Sequence, residues 1–354
     1  MKLTDIYTSK ALALQYTEAA ENKIPYLGSV LFPAQKKLGL DLKWIKGHKG
    51  LPVSLHPSNF DAKSTLRTRE GFKFDETEMA FFRESMLVKE RDEQDIQRIE
   101  EASDPYAMEI LRNIYDDANT LIDGANVVPE RMIMQLLAPQ NAGSPGITIS
   151  ADNVQYTYNY DVGGDYAEHH YEALTSTAKW DSPSTSNPLK DLQDAQDAVA
   201  DITGSRPTKV IMSQETWNYF KQSAKVKAEM LASTGNATLL ITNANAAEFL
   251  RTQLGLEVAV YNKKVKDEAG NTIQLFPNGF VTLIPDGELG NTWYGTTPEE
   301  RMLTGKVADV SIVNTGVAVC ISETVDPVNT KTTVSEIVLP SYERMDETYV
   351  IKAY

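Results

Sequence analysis

Residues 105 to 138 constrain the fold most strongly, because they carry two apolar stripes at helical spacing. The first stripe is predicted to begin at Pro105, where the missing N–H of proline costs nothing, and to run to Ile122. Gly124 is predicted to end it. A second stripe begins at Pro129 and runs to Leu137. The sequence therefore predicts a long helical element, interrupted between the stripes, which leads into a β segment.

A second unit with its own core is predicted from about residue 187 onwards. Asn187 can cap a helix, Pro188 suits its first position, and Gly204 suits its end. An apolar stripe on this helix faces away from a row of aspartates. The predicted order then continues with a strand at 209–212, a helix after Ser213, a helix at 244–254, a strand at 257–261, a hairpin across 268–271 and a strand at 280–284. Residues 311 to 351 return to β patterning, so we expect an α+β or α/β layer.

Residues 40 to 90 are predicted to form an extended, hairpin-like excursion. Leu40, Leu42 and Trp44 alternate with charged residues, which is the period-two pattern of a strand. A second alternating segment follows Gly71. Two strand-like arms around a polar tip, with few core residues between them, predict a projecting loop.

Charge is distributed unevenly along this excursion. Residues 36–73 hold nine basic and three acidic side chains, a net of +6, and residues 74–104 hold four basic and eleven acidic ones, a net of −7. Two solvated faces would explain the pattern. The functional alternative is a head-to-tail contact between identical subunits, in which Lys63, Arg67 and Arg69 of the basic loop meet an acidic neighbour.

The whole chain carries a formal net charge of −15. A chain this acidic is repelled by phosphate backbones, which argues against tight, sequence-nonspecific binding of nucleic acid. Solubility is one explanation of the charge. A surface that lines a DNA-filled space without adhering to it is the other.

Motifs of catalysis are absent from the sequence. It holds no glycine-rich phosphate loop, no dinucleotide fingerprint and no nucleophile elbow, so no catalytic, cofactor-binding or metal-binding residue is predicted. His169 and His170 are adjacent, and on a strand they would point to opposite faces. We therefore interpret them as a surface loop pair. A metal-dependent hydrolase that uses them with nearby acids is the weaker alternative.

The single cysteine, Cys320, lies in an apolar run and is predicted to be a core residue rather than a reactive thiol. Tyr156, Tyr158 and Tyr160 are predicted to form a cross-strand packing ladder. The N-terminus has no apolar signal core, and no apolar run approaches the ~18 residues of a membrane span. We expect a soluble protein that is made inside the cell and has no membrane partner.

Several short segments, weak alone and specific together, resemble the lambda-type branch of tailed-phage major capsid proteins, which share the Hong Kong-97-type fold. They occur in the family's order and cover most of the chain. The segments are 26–33 (YLGSVLFP), 40–46 (LDLKWIK), 86–90 (MLVKE), 136–137 with 146–149 (LL, GITI), 316–319 (GVAV), 326–330 (DPVNT) and 339–343 (LPSYE).

The resemblance implies an α+β fold with an N-terminal arm, an extended E-loop, a P-domain with a spine helix, and an A-domain. On this chain the arm would be residues 1–39, the E-loop 40–90, the P-domain 91–185 and the A-domain 186–300. Residues 301–354 would be C-terminal strands that return to the P-domain. Gly124 and Pro129 depart from a single straight spine helix.

The function implied by the resemblance is structural rather than enzymatic. Copies would form the hexamers and pentamers of an icosahedral shell that encloses packaged double-stranded DNA, without sequence-specific contact. A scaffolding protein, a portal and a decoration protein are the expected partners. The protein would be found in the virion and assembled in the host bacterial cytoplasm. An encapsulin-like nanocompartment shell, which uses the same fold to enclose a cargo enzyme, is the alternative.

Overall fold

The computed structural model describes residues 8–10, 26–45, 74–90, 105–151, 154–234, 241–267, 270–303, 309–325 and 328–354. Its helices are α1 (Leu27–Leu31), α2 (Pro105–Leu137), α3 (Asp165–His169), α4 (Pro188–Thr203), α5 (Gln214–Gln222), α6 (Ala224–Thr234) and α7 (Asn243–Leu254). Short 3₁₀ segments lie at Ser176–Ala178, Pro298–Leu303 and Met345–Glu347.

The strands are β1 (Ala34–Lys36), β2 (Asp41–Ile45), β3 (Phe74–Glu78), β4 (Ala80–Val88), β5 (Gly146–Ala151), β6 (Val154–Asn159), β7 (Tyr171–Ala173), β8 (Lys209–Met212), β9 (Glu257–Val260), β10 (Lys264–Lys266), β11 (Thr272–Gln274), β12 (Phe280–Ile284), β13 (Asn291–Tyr294), β14 (Asp309–Val313), β15 (Val317–Val325), β16 (Val328–Ser341) and β17 (Tyr349–Lys352). Among the described residues, no helix is both long enough and apolar enough to cross a membrane.

The chain divides into two compact units. The first contains Met1–Lys43, Glu76–Met132 and Gly290–Ser341, and the second contains Trp44–Asp75, Ile133–Leu289 and Tyr342–Tyr354. Each unit is built from segments that lie far apart in the sequence, so each depends on long-range pairing.

The first unit is organised around the long strand β16. One edge of β16 pairs antiparallel with β4, and the other edge pairs with β15 and then with β13. One face of this sheet packs against α2 through an apolar cluster that includes Leu121, Ile122, Val319 and Val334. The close packing requires glycine at position 290, because an added Cβ there would collide with the carbonyl oxygen of Ser341.

Helix α2 is continuous over 33 residues. The prediction that Gly124 ends one helix and Pro129 begins another is therefore wrong. Pro129 leaves one carbonyl without its usual donor, and a glycine inside a helix costs about 1 kcal/mol. Burial on both sides of these residues offsets that cost, since Ile122 and Met132 are both fully buried.

The second unit holds a mixed sheet in the order β7-β17-β12-β8-β9. Its core contains Leu192 and Val199 of α4, Trp217 and Phe220 of α5, and Leu283 of β12. The sequence predicted α4, β8 and β12 with the bounds that the structure has.

The C-terminal end of α4 and the start of α5 follow from local chemistry, whereas the side chain of Asn187 does not make the predicted cap at the start of α4. Gly204 has φ 72°, a left-handed conformation that glycine adopts without a steric cost, and it ends α4. The Ser213 hydroxyl accepts a hydrogen bond from the Thr216 N–H at 3.3 Å and caps α5. The predicted hairpin near residue 270 is also confirmed, because β10 and β11 pair antiparallel.

Candidate assembly surfaces

The three basic residues predicted to make subunit contacts, Lys63, Arg67 and Arg69, lie outside the described residues. The strands that flank their segment are described, and β2 pairs with β3. The Met79 N–H extends this pairing by donating to the Leu40 carbonyl oxygen at 2.9 Å. The two strand-forming arms of the excursion are therefore confirmed, while the basic contact stays a prediction.

A charged network joins the 3₁₀ segment Pro298–Leu303 to the first unit's sheet. Glu299 is 6% exposed and accepts from Arg83 at 2.5 Å and from the Ser335 hydroxyl at 2.7 Å. The adjacent Glu300 accepts from Lys36 Nζ at 2.6 Å. These ion pairs fasten the 3₁₀ segment Pro298–Leu303 to the strands, so these charges are used within the subunit.

A described part of the N-terminal segment binds the edge strand of the same sheet. The Ser9 N–H and hydroxyl donate to the Asp309 carboxylate at 2.6 and 2.8 Å, and the Ser9 and Ser311 hydroxyls are 2.8 Å apart. Ser9 is fully buried by these contacts. The arm predicted from the sequence is therefore anchored to its own subunit at this point.

Glu336 is a buried carboxyl on β16 with a different character. It is 1% exposed, and neither of its oxygens has a hydrogen-bond partner in the described part of the chain. Burial raises the pKa of Glu336 well above its usual value. The pKa of nearby Tyr294 is raised by its own burial and further by the charge of Glu336.

The two members of the histidine doublet lie in different environments. His170 is buried, its Nδ1 lies 3.0 Å from the carbonyl oxygen of Thr348, and its ring stacks on Tyr166 with centroids 5.3 Å apart. His169 is exposed and bonds to the Asp165 carbonyl oxygen. The interpretation of both as a surface pair is therefore wrong for His170. No group of three or more His, Cys, Asp or Glu side chains in the described ranges is placed to hold a metal.

The prediction that Cys320 is a core residue is confirmed. Its side chain is buried on β15, and burial raises the pKa of its thiol, which disfavours the reactive thiolate.

Strands β5 and β6 form a two-stranded antiparallel ribbon in the second unit. Tyr156 and Tyr158 lie on one face of β6 and stack on each other, with centroids 6.4 Å apart. Their cross-strand neighbours are the buried residues Ile149 and Ile147. The tyrosines thus stack along one strand, rather than across strands as predicted.

The opposite face of the ribbon is exposed and uncharged. Its members alternate with the tyrosines and isoleucines, and they are Thr148, Ser150, Gln155, Thr157 and Asn159. The β5 edge is bonded to a side chain, because Gln135 accepts from the Thr148 N–H at 2.8 Å and donates to the Thr148 carbonyl oxygen at 3.1 Å. The sequence predicted β structure after α2, but it does not indicate this pairing of a helix residue with a strand edge.

Known structures and a family model identify the fold. A phage-related protein of Bordetella bronchiseptica RB50 is 16% identical with a TM-score of 0.59, and the match covers 98% of this chain and 97% of that chain. A protein assigned as a prophage capsid protein of Escherichia coli CFT073 is 14% identical with a TM-score of 0.59, covering 98% and 99%. A family model described as phage major capsid protein E matches residues 11–353.

The chain belongs to the phage major capsid protein E family. It is therefore a shell subunit of a phage head and a virion component, and its role in the family is structural. The predicted fold class, an α+β fold of the Hong Kong-97 capsid type, is confirmed. Comparison with curated protein sequences gives no match. Capsid assembly requires many copies of this chain, so its surface contacts are the features that carry function.

Proposed function

We propose that copies of this chain form the hexamers and pentamers of an icosahedral shell that encloses packaged double-stranded DNA. The observation that carries this proposal is the extent of the family match, which covers residues 11–353 and thus both compact units. The net charge of −15 suits a wall that holds DNA at high density without adhering to it.

The residue ranges given to the arm, E-loop, P-domain and A-domain from the sequence stay part of this proposal. So do a scaffolding protein, a portal and a decoration protein as partners, and assembly in the host bacterial cytoplasm. Each is an expectation for a capsid subunit of this family.

One contact of the shell would join the basic tip of the excursion to an acidic surface of a neighbour. Lys63, Arg67 and Arg69 would supply the positive charges. On the acidic side, the described residues Glu78, Glu84 and Glu90 are exposed along β3 and β4 and at the end of β4. Opposite charges at such a contact favour the correct orientation of subunits and weaken with salt.

Negative-stain electron microscopy of the expressed protein, with and without its neighbouring genes, tests the proposal. Closed shells, tubes, or rings of five or six subunits are the expected result. Monomers or dimers under every condition would refute it, and stoichiometric zinc or manganese with hydrolase activity would favour an enzyme instead. Shells that contain one cargo protein and no nucleic acid after infection would indicate a nanocompartment.

A charge reversal tests the basic contact. We expect Lys63→Glu, Arg67→Glu and Arg69→Glu together to block shell formation while the circular dichroism spectrum of the subunit stays unchanged. The matched control reverses three exposed lysines of the second unit, Lys225, Lys227 and Lys266, and so changes the net charge equally. Normal shells from the first triple variant, or equal loss from both, would contradict a specific contact.

A further inference from the structure

The two edges of the ribbon of β5 and β6 differ, because among the described residues only the β5 edge is bonded to another part of the chain, at Thr148. The Tyr160 N–H donates to the Pro145 carbonyl oxygen at 3.0 Å, and this pair continues the register of the ribbon. In an antiparallel ladder, hydrogen-bonded pairs alternate with pairs whose N–H and C=O groups point away from the partner strand. The backbone groups of Thr148 therefore point outward from β5. Those of Gln155, Thr157 and Asn159 point outward from β6. Gln135 satisfies the groups of Thr148. The outward groups of the three β6 residues have no backbone partner in the described part of the chain.

Open edges of soluble proteins are usually protected by lysine, proline, an inward-pointing charge or a bulge. Strand β6 (VQYTYN) has none of these. Several other described edge strands contain charge, for example β4 with Arg83 and Glu84, β9 with Glu257 and β14 with Asp309. Strand β5 is also uncharged, but its central residue Thr148 is bonded to Gln135. The open, uncharged edge of β6 is therefore suited to accept another strand.

We propose that β6 pairs antiparallel with β6 of a second copy of this chain, about a two-fold axis centred on Thr157. This contact rests on the proposed function, because it would be one of the contacts between shell subunits. The two open edges would exchange about six backbone hydrogen bonds and form a four-stranded sheet from two ribbons. Gln155 would lie opposite Asn159 of the second copy.

Self-complementarity selects a second copy as the partner. In this register every outward N–H of Gln155, Thr157 and Asn159 faces an outward carbonyl of the other copy. The uncharged side chains bring no like charges together, and two threonines directly opposite each other form a favourable pair. The two-fold axis is perpendicular to the sheet, so both copies keep their tyrosines on the same face.

The same register places Tyr156 of one copy directly opposite Tyr158 of the other. Each tyrosine already stacks on its neighbour along the strand. Pairing would add aromatic contacts across strands, which stabilise antiparallel sheets. A cross-strand tyrosine ladder, absent from the single subunit, would thus form in the pair.

A charged substitution at the axis tests the pairing. Thr157→Lys would place two like charges one strand spacing apart, about 5 Å, on an exposed position that leaves the subunit fold intact. The matched control is Thr148→Lys, which lies directly across the ribbon from Thr157 on the same exposed face. In the pair, the two control lysines would lie about three strand spacings apart. We expect at least a tenfold loss of shells, by sedimentation, for Thr157→Lys and wild-type yield for the control; wild-type yield for both would overturn the proposal.

Cross-linking tests the register. In an antiparallel sheet, two residues that form a hydrogen-bonded pair across neighbouring strands have Cα atoms about 5.5 Å apart, which is within the range for a disulfide. We expect mild oxidation of shells made from Thr157→Cys to give covalent dimers, whereas Thr148→Cys and the wild type, whose Cys320 is buried, give none. Mixed shells of Gln155→Cys and Asn159→Cys should also cross-link. If the wild type forms shells but shells of Thr157→Cys give no covalent dimer, the β6 contact is refuted and the proposed function stands. If the wild type itself forms no shells, the proposed function is refuted.

Discussion

Replacing Glu336 should stabilise the unassembled subunit, because this carboxyl is buried without a partner. The register places Phe82 of β4 directly opposite Glu336. It shares its face of the sheet with Val334, which packs against α2. A protonated carboxyl in such a site costs about 1–3 kcal/mol through its unmade hydrogen bonds, and an ionised one costs more.

The expected gain follows from this cost. Leucine has a similar size and no polar atom, so Glu336→Leu should raise the free energy of unfolding at pH 7 by about 1–3 kcal/mol. Glu336→Gln is the matched control, since it keeps a buried polar group but cannot ionise. We expect Glu336→Gln to change the free energy of unfolding little at low pH and to alter the dependence of that free energy on pH.

The sign of the pH dependence follows from the raised pKa. Between the unfolded value of about 4.3 and the higher folded value, the folded chain binds one proton more than the unfolded chain. The contribution of Glu336 is therefore fully present below about pH 4.3 and is lost as pH rises through the folded pKa. The Glu336→Gln variant should lack this loss, so its stability relative to wild type should increase with pH.

Urea unfolding of the unassembled subunit at pH 5, 6, 7 and 8 measures both effects. Hydrogen exchange of β16 amides by mass spectrometry assigns the change to the first unit. A lower free energy of unfolding for Glu336→Leu at pH 7 would refute the reasoning. A difference between wild type and Glu336→Gln that does not vary with pH would refute the raised pKa.

Three further outcomes can be measured on the same subunit. Ser213→Ala should lower the free energy of unfolding by about 1 kcal/mol in urea titrations, because the cap on the Thr216 N–H is lost. Gln135→Ala should speed hydrogen exchange of the Thr148 amide, because the free energy of local opening would fall by about 1 kcal/mol. Exchange as slow as in the wild type would contradict protection of this amide by Gln135. Burial lowers the pKa of His170, so the unfolded chain takes up a proton first as pH falls below about 6.5, and the stability of the fold decreases. His170→Phe should weaken this dependence of stability on pH, which thermal melts between pH 7 and 5 would measure.

Elements set by local chemistry were predicted closely from the sequence. Helix α4 begins after Asn187 and ends at Gly204 as predicted, because proline at its start and glycine at its end act within one turn. The continuity of helix α2 was not predicted, because burial along its length outweighs the local helix-ending signals of Gly124 and Pro129. Local rules therefore fail where distant contacts supply the larger free energy.

The candidate contacts show the same limit. The sequence placed Tyr156 and Tyr158 in β structure, but no sequence pattern indicates that Gln135 bonds to the backbone of Thr148 on the neighbouring strand. The pairing of β16 with β4 joins residues about 250 positions apart and likewise has no local signal. An adjacent pair such as His169 and His170 gives no indication of which member is buried.

The single subunit leaves features exposed that shell formation would use. The side chain of Leu38 is 86% exposed, and that of Val162 is 81% exposed. The open edge of β6 is a further feature of this kind. Such features cost a solitary protein solubility, whereas repeated contacts in a closed shell would bury them many times over. The buried, unpartnered Glu336 is also expected to keep the free subunit below the stability that its fold could reach.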